Sequence, residues 1–331
     1  VKLTEAPAAP LAEPQSEPVP LPEGWPLSPD GALLAQKTAS RRQHRTLDLG
    51  GGQVIDLVLV PAGTYLMGSL GGARDEWPMT PVTIARPFWM GRTEITNAQF
   101  KRFDPRHDSH VEDKLGYQFG IHGYPCDGPQ QPVVRVTWNE AVAFCQWASR
   151  LSGEAVSLPT EAQWEWACRN GSSKPFWYGG LDTDFGKLAN LADAKLIELC
   201  TDPYTLDTPI AKPAKYDDWT PKDARFNDGG LVSVEVGRYQ PNPWGLCDMH
   251  GNVAEWTRTT YRPYPYAADG RDDLATPGEK VARGGSWHDR PYRATASFRT
   301  AYRPYQPVYD VGFRIVLPVG KGDEPVTVAA R

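Results

Sequence analysis

The stretch from Gly245 to Trp256, Gly-Leu-Cys-Asp-Met-His-Gly-Asn-Val-Ala-Glu-Trp, constrains the chain more than any other. Its glycines, Asp248 and Asn252 are residue types that tight turns require, and the Glu255-Trp256 pair follows directly, so the segment reads as a turn entering a strand rather than as a helix. The same residues crowd oxygen donors together: the carboxylates of Asp248 and Glu255, the amide of Asn252, and backbone carbonyls released by the turn. Hard cations such as Ca²⁺ take about six to eight such oxygens. A purely structural turn around a buried tryptophan is the competing explanation.

A turn of this kind suits a loop-rich chain. The 331 residues include 31 Gly and 32 Pro, so loops should outweigh regular structure. The length allows one large domain or two small ones. A net charge of −5 gives no reason to expect a nucleic-acid partner. No apolar run approaches the length of a transmembrane helix.

Short strands are expected at Val54 to Val60, Thr64 to Ser69, Val82 to Ile84 and Phe88 to Met90, the first ending in the Pro61-Ala62-Gly63 turn. Thr96-Asn97 should open a short helix that Pro105 stops. Thr137 with Glu140, and Thr160 with Gln163, have the spacing of capping boxes. The first predicts a helix burying Ala141, Phe144, Cys145, Ala148 and Leu151, ended by Gly153; the second predicts one carrying Trp164, Ala167 and Cys168. After residue 170 no long periodic segment appears, and there is no internal repeat. Few helices among short strands and long loops make an α+β pattern.

The first 30 residues hold eight prolines, Pro7, Pro10, Pro14, Pro18, Pro20, Pro22, Pro26 and Pro29. Such a composition favours an extended tether. Residues 1–50 are therefore expected to form a Pro-rich tether and arm, residues 51–319 the folded domain and residues 320–331 a loose tail. An export signal or lipid anchor would sit naturally upstream of such a tether, which points to the periplasm or the cell surface. The five cysteines, Cys126, Cys145, Cys168, Cys200 and Cys247, show no zinc-binding spacing.

Several segments share their order and wording with one family: Trp89 to Asn97 (Trp-Met-Gly-Arg-Thr-Glu-Ile-Thr-Asn), Pro132 to Trp138, Leu158 to Trp166, the Gly245 to Trp256 stretch, Arg283-Gly284-Gly285-Ser286-Trp287 and Val311-Gly312-Phe313-Arg314. Together, over residues 55–317, the chain resembles the formylglycine-generating enzyme (sulfatase-modifying factor) family. The resemblance implies that family's fold, an elaborated relative of the C-type lectin domain. It also implies two structural calcium sites. One would use the side chains of Asp248 and Glu255 with the carbonyls of Gly251 and Val253. The other would use Asn190 and Asp228 with the carbonyls of Leu191 and Gly230.

The resemblance fails where the family's chemistry resides. Its active members bind Cu(I) through two cysteines shortly after Gly-Gly-Ser, as a soft metal requires. Here Ser286 is followed by Trp287-His288-Asp289-Arg290-Pro291-Tyr292-Arg293, and no cysteine occurs after Cys247. Copper-thiolate oxidation is not expected. Nonheme-iron relatives carry an extra histidine-bearing helical domain, for which residues 1–50 are too short. Relatives similar to the pyoverdine-maturation protein also lack the cysteines, so a different oxidase or oxygenase chemistry is the alternative, and sulfatase maturation the weaker one.

Histidines offer little. His107 and His110 have an H-x-x-H look with His122 not far on, but no third ligand is fixed by spacing. His288 beside Asp289 could do acid–base work. Arg290, Arg293, Arg299 and Arg303 alternate with Tyr292, Phe298, Tyr302 and Tyr305. Arginine among aromatics suits a peptide, glycan or anionic ligand, or else holds loops together through its five donors. The sequence therefore points to an exported, calcium-stabilised binding or accessory protein. Its protein, peptide or glycan partner would sit in a groove of Trp287, His288, Arg290, Tyr292, Arg293 and Arg303.

Overall fold

The computed structural model describes residues 19–113, 123–199 and 222–320. His122, Cys200, most of the Pro-rich leader and the 321–331 tail lie outside the described residues. The α+β expectation holds: among the described residues four helices, mostly short, stand among short strands and long loops.

The segment read as an arm is in fact folded onto the domain. Helix α1 (Pro29–Ala39) starts where Ser28 caps it, accepting from Gly31 N at 3.1 Å, with Pro29 at the first helical position. Gln36 Nε2 donates to the carbonyls of Leu59 and Trp244, and Trp244 Nε1 donates to Ala32 O, all at 2.8 Å. Strand β1 (His44–Asp48) then pairs antiparallel with β2 (Val54–Val60) and buries Leu47. The proline count masked an N-cap and a leucine-bearing strand that follow it.

The next strands are β3 (Gly63–Met67), β4 (Thr80–Ile84) and β5 (Phe88–Gly91). Helix α2 (Asn97–Phe100) has the Thr96/Gln99 capping box but lasts a single turn, well short of Pro105. Strands β6 (Val111–Asp113) and β7 (Gly123–Pro125) form a two-stranded ladder. Helix α3 (Trp138–Ser152) has both predicted caps, the Thr137/Glu140 box and Gly153 in the left-handed region. It buries Trp138, Ala141, Phe144, Cys145 and Ala148, a face worth about 1.5–3 kcal/mol for each large apolar side chain. Leu151 departs from expectation and is half exposed. Helix α4 (Glu161–Arg169) is capped by Thr160 and Gln163 and buried all round, with both tryptophans and both of its glutamates out of solvent.

After α4 come β8 (Ala254–Thr260), β9 (Lys280–Arg283), β10 (Arg299–Tyr302), β11 (Val311–Gly312) and β12 (Val316–Pro318). One four-stranded sheet runs β1-β2-β5-β12 and a second β10-β9-β8-β11, while β3 and β4 form a separate antiparallel pair; β11 is parallel to β8 and the remaining pairings are antiparallel. The core beneath α3 joins both sheets through Trp89, Phe100, Phe144, Trp256 and Phe313. A second core gathers Tyr65, Trp164, Trp166 and Trp244 around α4. The 222–253 segment, which includes the Gly245 turn, forms no helix or strand.

Candidate functional site

The turn before β8 has the predicted form. Gly245, Asp248, Gly251 and Asn252 all have positive φ, a region that Gly, Asn and Asp enter at least cost. Gly251 is obligatory for a second reason, since a Cβ there would lie 2.1 Å from Asn190 O. That close approach is a parallel bridge between Asn190 and Gly251, reinforced by Asn252 N donating to Asn190 O at 2.9 Å. The two segments that the resemblance assigned to separate calcium sites therefore touch.

Asn252 is the hub. Its Nδ2 donates to Glu94 Oε1 at 3.1 Å, and its Oδ1 accepts from Val234 N at 2.9 Å and Asn190 Nδ2 at 3.2 Å. In the first set, Asp248 Oδ2 accepts from Gly237 N at 2.6 Å while Oδ1 is buried without a partner. Glu255 is engaged differently from expectation. Its Oε1 and Oε2 each accept from Arg314 at 2.6 Å, and Oε2 also accepts from Trp164 Nε1 at 2.8 Å. Arg314 goes on to donate to the carbonyls of Gly91, Arg92 and Cys247. The acid with a vacant oxygen near Asp248 is instead Glu94, whose Oε2 is buried and unpartnered. Burial raises the Glu94 carboxyl well above the usual range, and the Asp248 charge adds to it. Burial likewise pushes Asp248 up to about 6.

The second set is more completely assembled. Asp228 Oδ2 accepts from Leu191 N at 2.8 Å and Oδ1 from Gly230 N at 2.6 Å. Asn190 Nδ2 donates to Val232 O at 3.0 Å, and its Oδ1 is buried without a partner. A Cβ on Gly230 would fall 2.6 Å from that Oδ1, so only glycine fits beside it. Burial pushes the Asp228 carboxyl up to about 7, with the Asp193 charge adding to the effect.

Around these two sets, Asn190 Oδ1, Asp248 Oδ1 and Glu94 Oε2 are thus buried oxygens without donors. Each such group left dry destabilises by about 1–3 kcal/mol. Among the described residues no three His, Cys, Asp or Glu side chains are placed to share one ion. A cation here would rest on one or two carboxylates, the Asn190 amide and backbone carbonyls, a donor set that suits Ca²⁺.

The segment after Ser286 is less unified than its composition implied. Trp287 is 3% exposed and packs with Cys126, Val134, Ala192 and Val253. It is a core residue, so it does not line a groove. Asp289 accepts from Ser286 N and from Arg293 Nε, and its carboxylate is taken up by these rather than by His288. His288 is exposed, with Nδ1 3.4 Å from Tyr309 OH. Arg293 lies over Phe298 at 5.0 Å and is half-buried. Arg290 over Tyr292 at 5.0 Å, and Arg303 bonded to Tyr305 OH at 3.0 Å, are the exposed cationic–aromatic pairs. Arg299 is structural: it makes a two-pronged ion pair with Glu161 at 2.5 and 3.0 Å.

The histidine pattern does not assemble. His107 packs on Phe100 with Nε2 3.0 Å from Val134 O, whereas His110 is exposed beside Asp108. His250 is buried, pushed down to about 4 by burial, and its Nδ1 lies 2.7 Å from Ala294 O. Cys168 lies against it, its Sγ 3.4 Å from His250 Nε2, and burial pushes its thiol up.

Asp310 escaped the sequence reading. It is buried, accepts from Ser286 Oγ at 2.7 Å and is pushed up to about 6 by burial, with Asp289 adding to it. A carboxyl whose pKa is raised by folding contributes stability that is fully present below its unfolded pKa and is lost as pH rises through its folded one. Stability should therefore fall as pH rises from about 4 through about 6, by on the order of 2–3 kcal/mol. Asp310→Asn keeps the acceptor for Ser286 and should flatten that slope. Denaturant titrations at stepped pH measure it, and equal slopes for both proteins would refute the assignment.

Comparison with known proteins agrees with this architecture. Residues 49–319 match the model of the sulfatase-modifying factor enzyme 1-like domain. The chain is 29% identical over 308 residues to the formylglycine-generating enzyme of Streptomyces coelicolor, covering 78% of this chain and 87% of that one. It is 27% identical over 322 residues to the inactive C-alpha-formylglycine-generating enzyme 2 of Bos taurus, covering 84% and 93%. Among solved structures, PvdO from Pseudomonas aeruginosa superposes with a TM-score of 0.63 at 24% identity, covering 84% of this chain and 99% of that one. With a family model spanning most of its length and that family's motifs at the turn, at α4 and at β9, the chain belongs to the sulfatase-modifying factor (formylglycine-generating enzyme) family.

Proposed function

We propose that this chain is a member of the family without copper-thiolate oxidase chemistry, an exported and calcium-stabilised binding or accessory protein for a protein, peptide or glycan partner. One observation carries the proposal: no cysteine follows Cys247, and Trp287 or His288, and Pro291, stand near where the resemblance would put the two thiolates. These residues offer no soft ligand for Cu(I). The described cysteines do not compensate, since Cys126, Cys145, Cys168 and Cys247 are all buried. The relative named as an inactive formylglycine-generating enzyme supports a non-catalytic role.

Arg290, Tyr292 and Arg303 favour a partner surface on this face, because exposed Arg and Tyr are the side chains that anchor interfaces. The Pro-rich leader supports export and a tethered position in the periplasm or at the cell surface. Among the described residues no helix is long and apolar enough to cross a membrane. The experiment is direct: incubate the protein with Cu(I), O₂ and a Cys-x-Pro-x-Arg peptide and weigh the product. The peptide should be recovered unchanged, and conversion of its cysteine to the aldehyde would overturn the proposal.

A further inference from the structure

We infer that Glu94 and Asp248 are the two carboxylates that hold a divalent cation at the Gly245 turn, and that Glu255 is not among its ligands. The inference rests on the calcium reading above and changes its donor set. It adds an acid that the resemblance does not name and removes one that it does. The ion is a hard cation of the Ca²⁺ class, because the unpartnered donors are carboxylate oxygens.

The fold brings the two acids together from distant parts of the chain. Cys247 N, next to Asp248, donates at 2.8 Å to Arg92 O, two residues before Glu94. Asn252, four residues beyond Asp248 in the same turn, donates from Nδ2 to Glu94 Oε1 at 3.1 Å. Gly237 completes the frame. Its N–H donates to Asp248 Oδ2 at 2.6 Å, and a Cβ there would lie 3.8 Å from Thr93 Cγ2. Each carboxylate thus gives one oxygen to a neutral donor of this frame. The other oxygen, Glu94 Oε2 or Asp248 Oδ1, is buried without a partner.

Charge sets the valence. Glu94 is 0% exposed and Asp248 4%. Among the described residues the buried cations are committed elsewhere. Arg169 and Arg283 pair with Glu165, Arg299 with Glu161 and Arg271 with Asp269. Lys280 donates to Thr260 Oγ1 and Thr276 O. Arg314 holds both oxygens of Glu255, so its single charge is already matched. Two buried carboxylates remain unpaired, and buried charges need a partner or a metal. One divalent cation balances both, whereas a monovalent ion leaves one charge over.

The test strips the full chain of metal and titrates it with Ca²⁺ by calorimetry. Glu94→Gln keeps an acceptor for Asn252 but loses the charge. The binding event at the turn should weaken about tenfold or more, and the event at Asn190 and Asp228 should stay as in wild type. Glu94→Asp keeps the charge on a shorter arm, should weaken the turn less, and is read instead if the glutamine variant does not fold. Adding Asp248→Asn to Glu94→Gln should weaken binding by less than the product of the two single losses, because both acids serve one ion. Glu255→Gln should keep its calcium. Wild type that takes up no calcium overturns the calcium reading and this inference with it, since protons then neutralise the two acids. Wild type that binds calcium while both Glu94 variants bind it equally well overturns this inference alone. So does loss of the ion from Glu255→Gln with Glu94→Gln unaffected.

Discussion

Replacing Arg283 by methionine is expected to lower the melting midpoint by about 10 °C or more, the effect of losing ~3–5 kcal/mol in a domain of this size. Arg283 is 1% exposed, at the end of β9. It donates to the carbonyls of Ala296, Ser297 and Phe298 at 2.7, 2.6 and 2.8 Å and forms a short ion pair with Glu165. Glu161 lies 3.6 Å from it and is held by Arg299 as well. Methionine conserves much of the volume but removes the charge and leaves three carbonyls and part of Glu165 without donors. Each such buried group is destabilising by about 1–3 kcal/mol, and the uncompensated carboxylate is the worst of them. The double variant Arg283→Met, Glu165→Gln should recover part of the loss, because the remaining side chain at 165 is then neutral. Thermal melts of both variants decide the matter. A midpoint within a degree or two of wild type for the single variant would mean that water solvates the vacated groups and that the ion pair is dispensable.

That network explains why the motif Arg283-Gly284-Gly285-Ser286 was legible as a signature while the work of its first residue was not. Local signals were readable because their physics is local. The boxes at Thr96, Thr137 and Thr160 place a hydroxyl and a carboxylate or amide three residues apart, and all three cap helices. Gly153 ends α3 for an equally local reason. The Ser28 cap that starts α1 lies inside the proline-rich stretch, whose composition alone favours an extended chain.

Long-range partners had no such signature. Glu255 and Arg314 are 59 residues apart, Glu94 and Asn252 are 158 apart, and nothing in either segment names the other. A hint was present for Arg314, a charge inside the apolar run Val311 to Leu317, since arginine is almost never buried without a carboxylate. Glu94 sits in the polar stretch Arg92 to Asn97, so nothing local marks it as buried. Trp287 was assigned to a groove because of its neighbours in the chain. Its neighbours in space are Val134, Ala192 and Val253, and they make it core.

The calcium proposal gives the second large effect. Chelation should lower the melting midpoint by about 5–10 °C, because an ion bound only by the folded state stabilises it by ~2.7 kcal/mol at a hundredfold excess over Kd. Three variants separate the roles that geometry assigns. Asn190→Ala removes an unpartnered buried oxygen from the second set, and Asp248→Asn removes charge from the first. Both should diminish the response to chelator, and Asn190→Ala should lower the calcium content of the purified protein. Glu255→Gln should behave differently. Both carboxylate oxygens of Glu255 face Arg314, so this variant should be strongly destabilised with or without calcium while remaining sensitive to chelator. If Glu255→Gln instead abolishes the chelator response, the carboxylate is a ligand and Arg314 a secondary partner. If wild-type protein contains no calcium by elemental analysis and melts at the same temperature in chelator, the three unpartnered oxygens are satisfied by water, and the turn is structural alone.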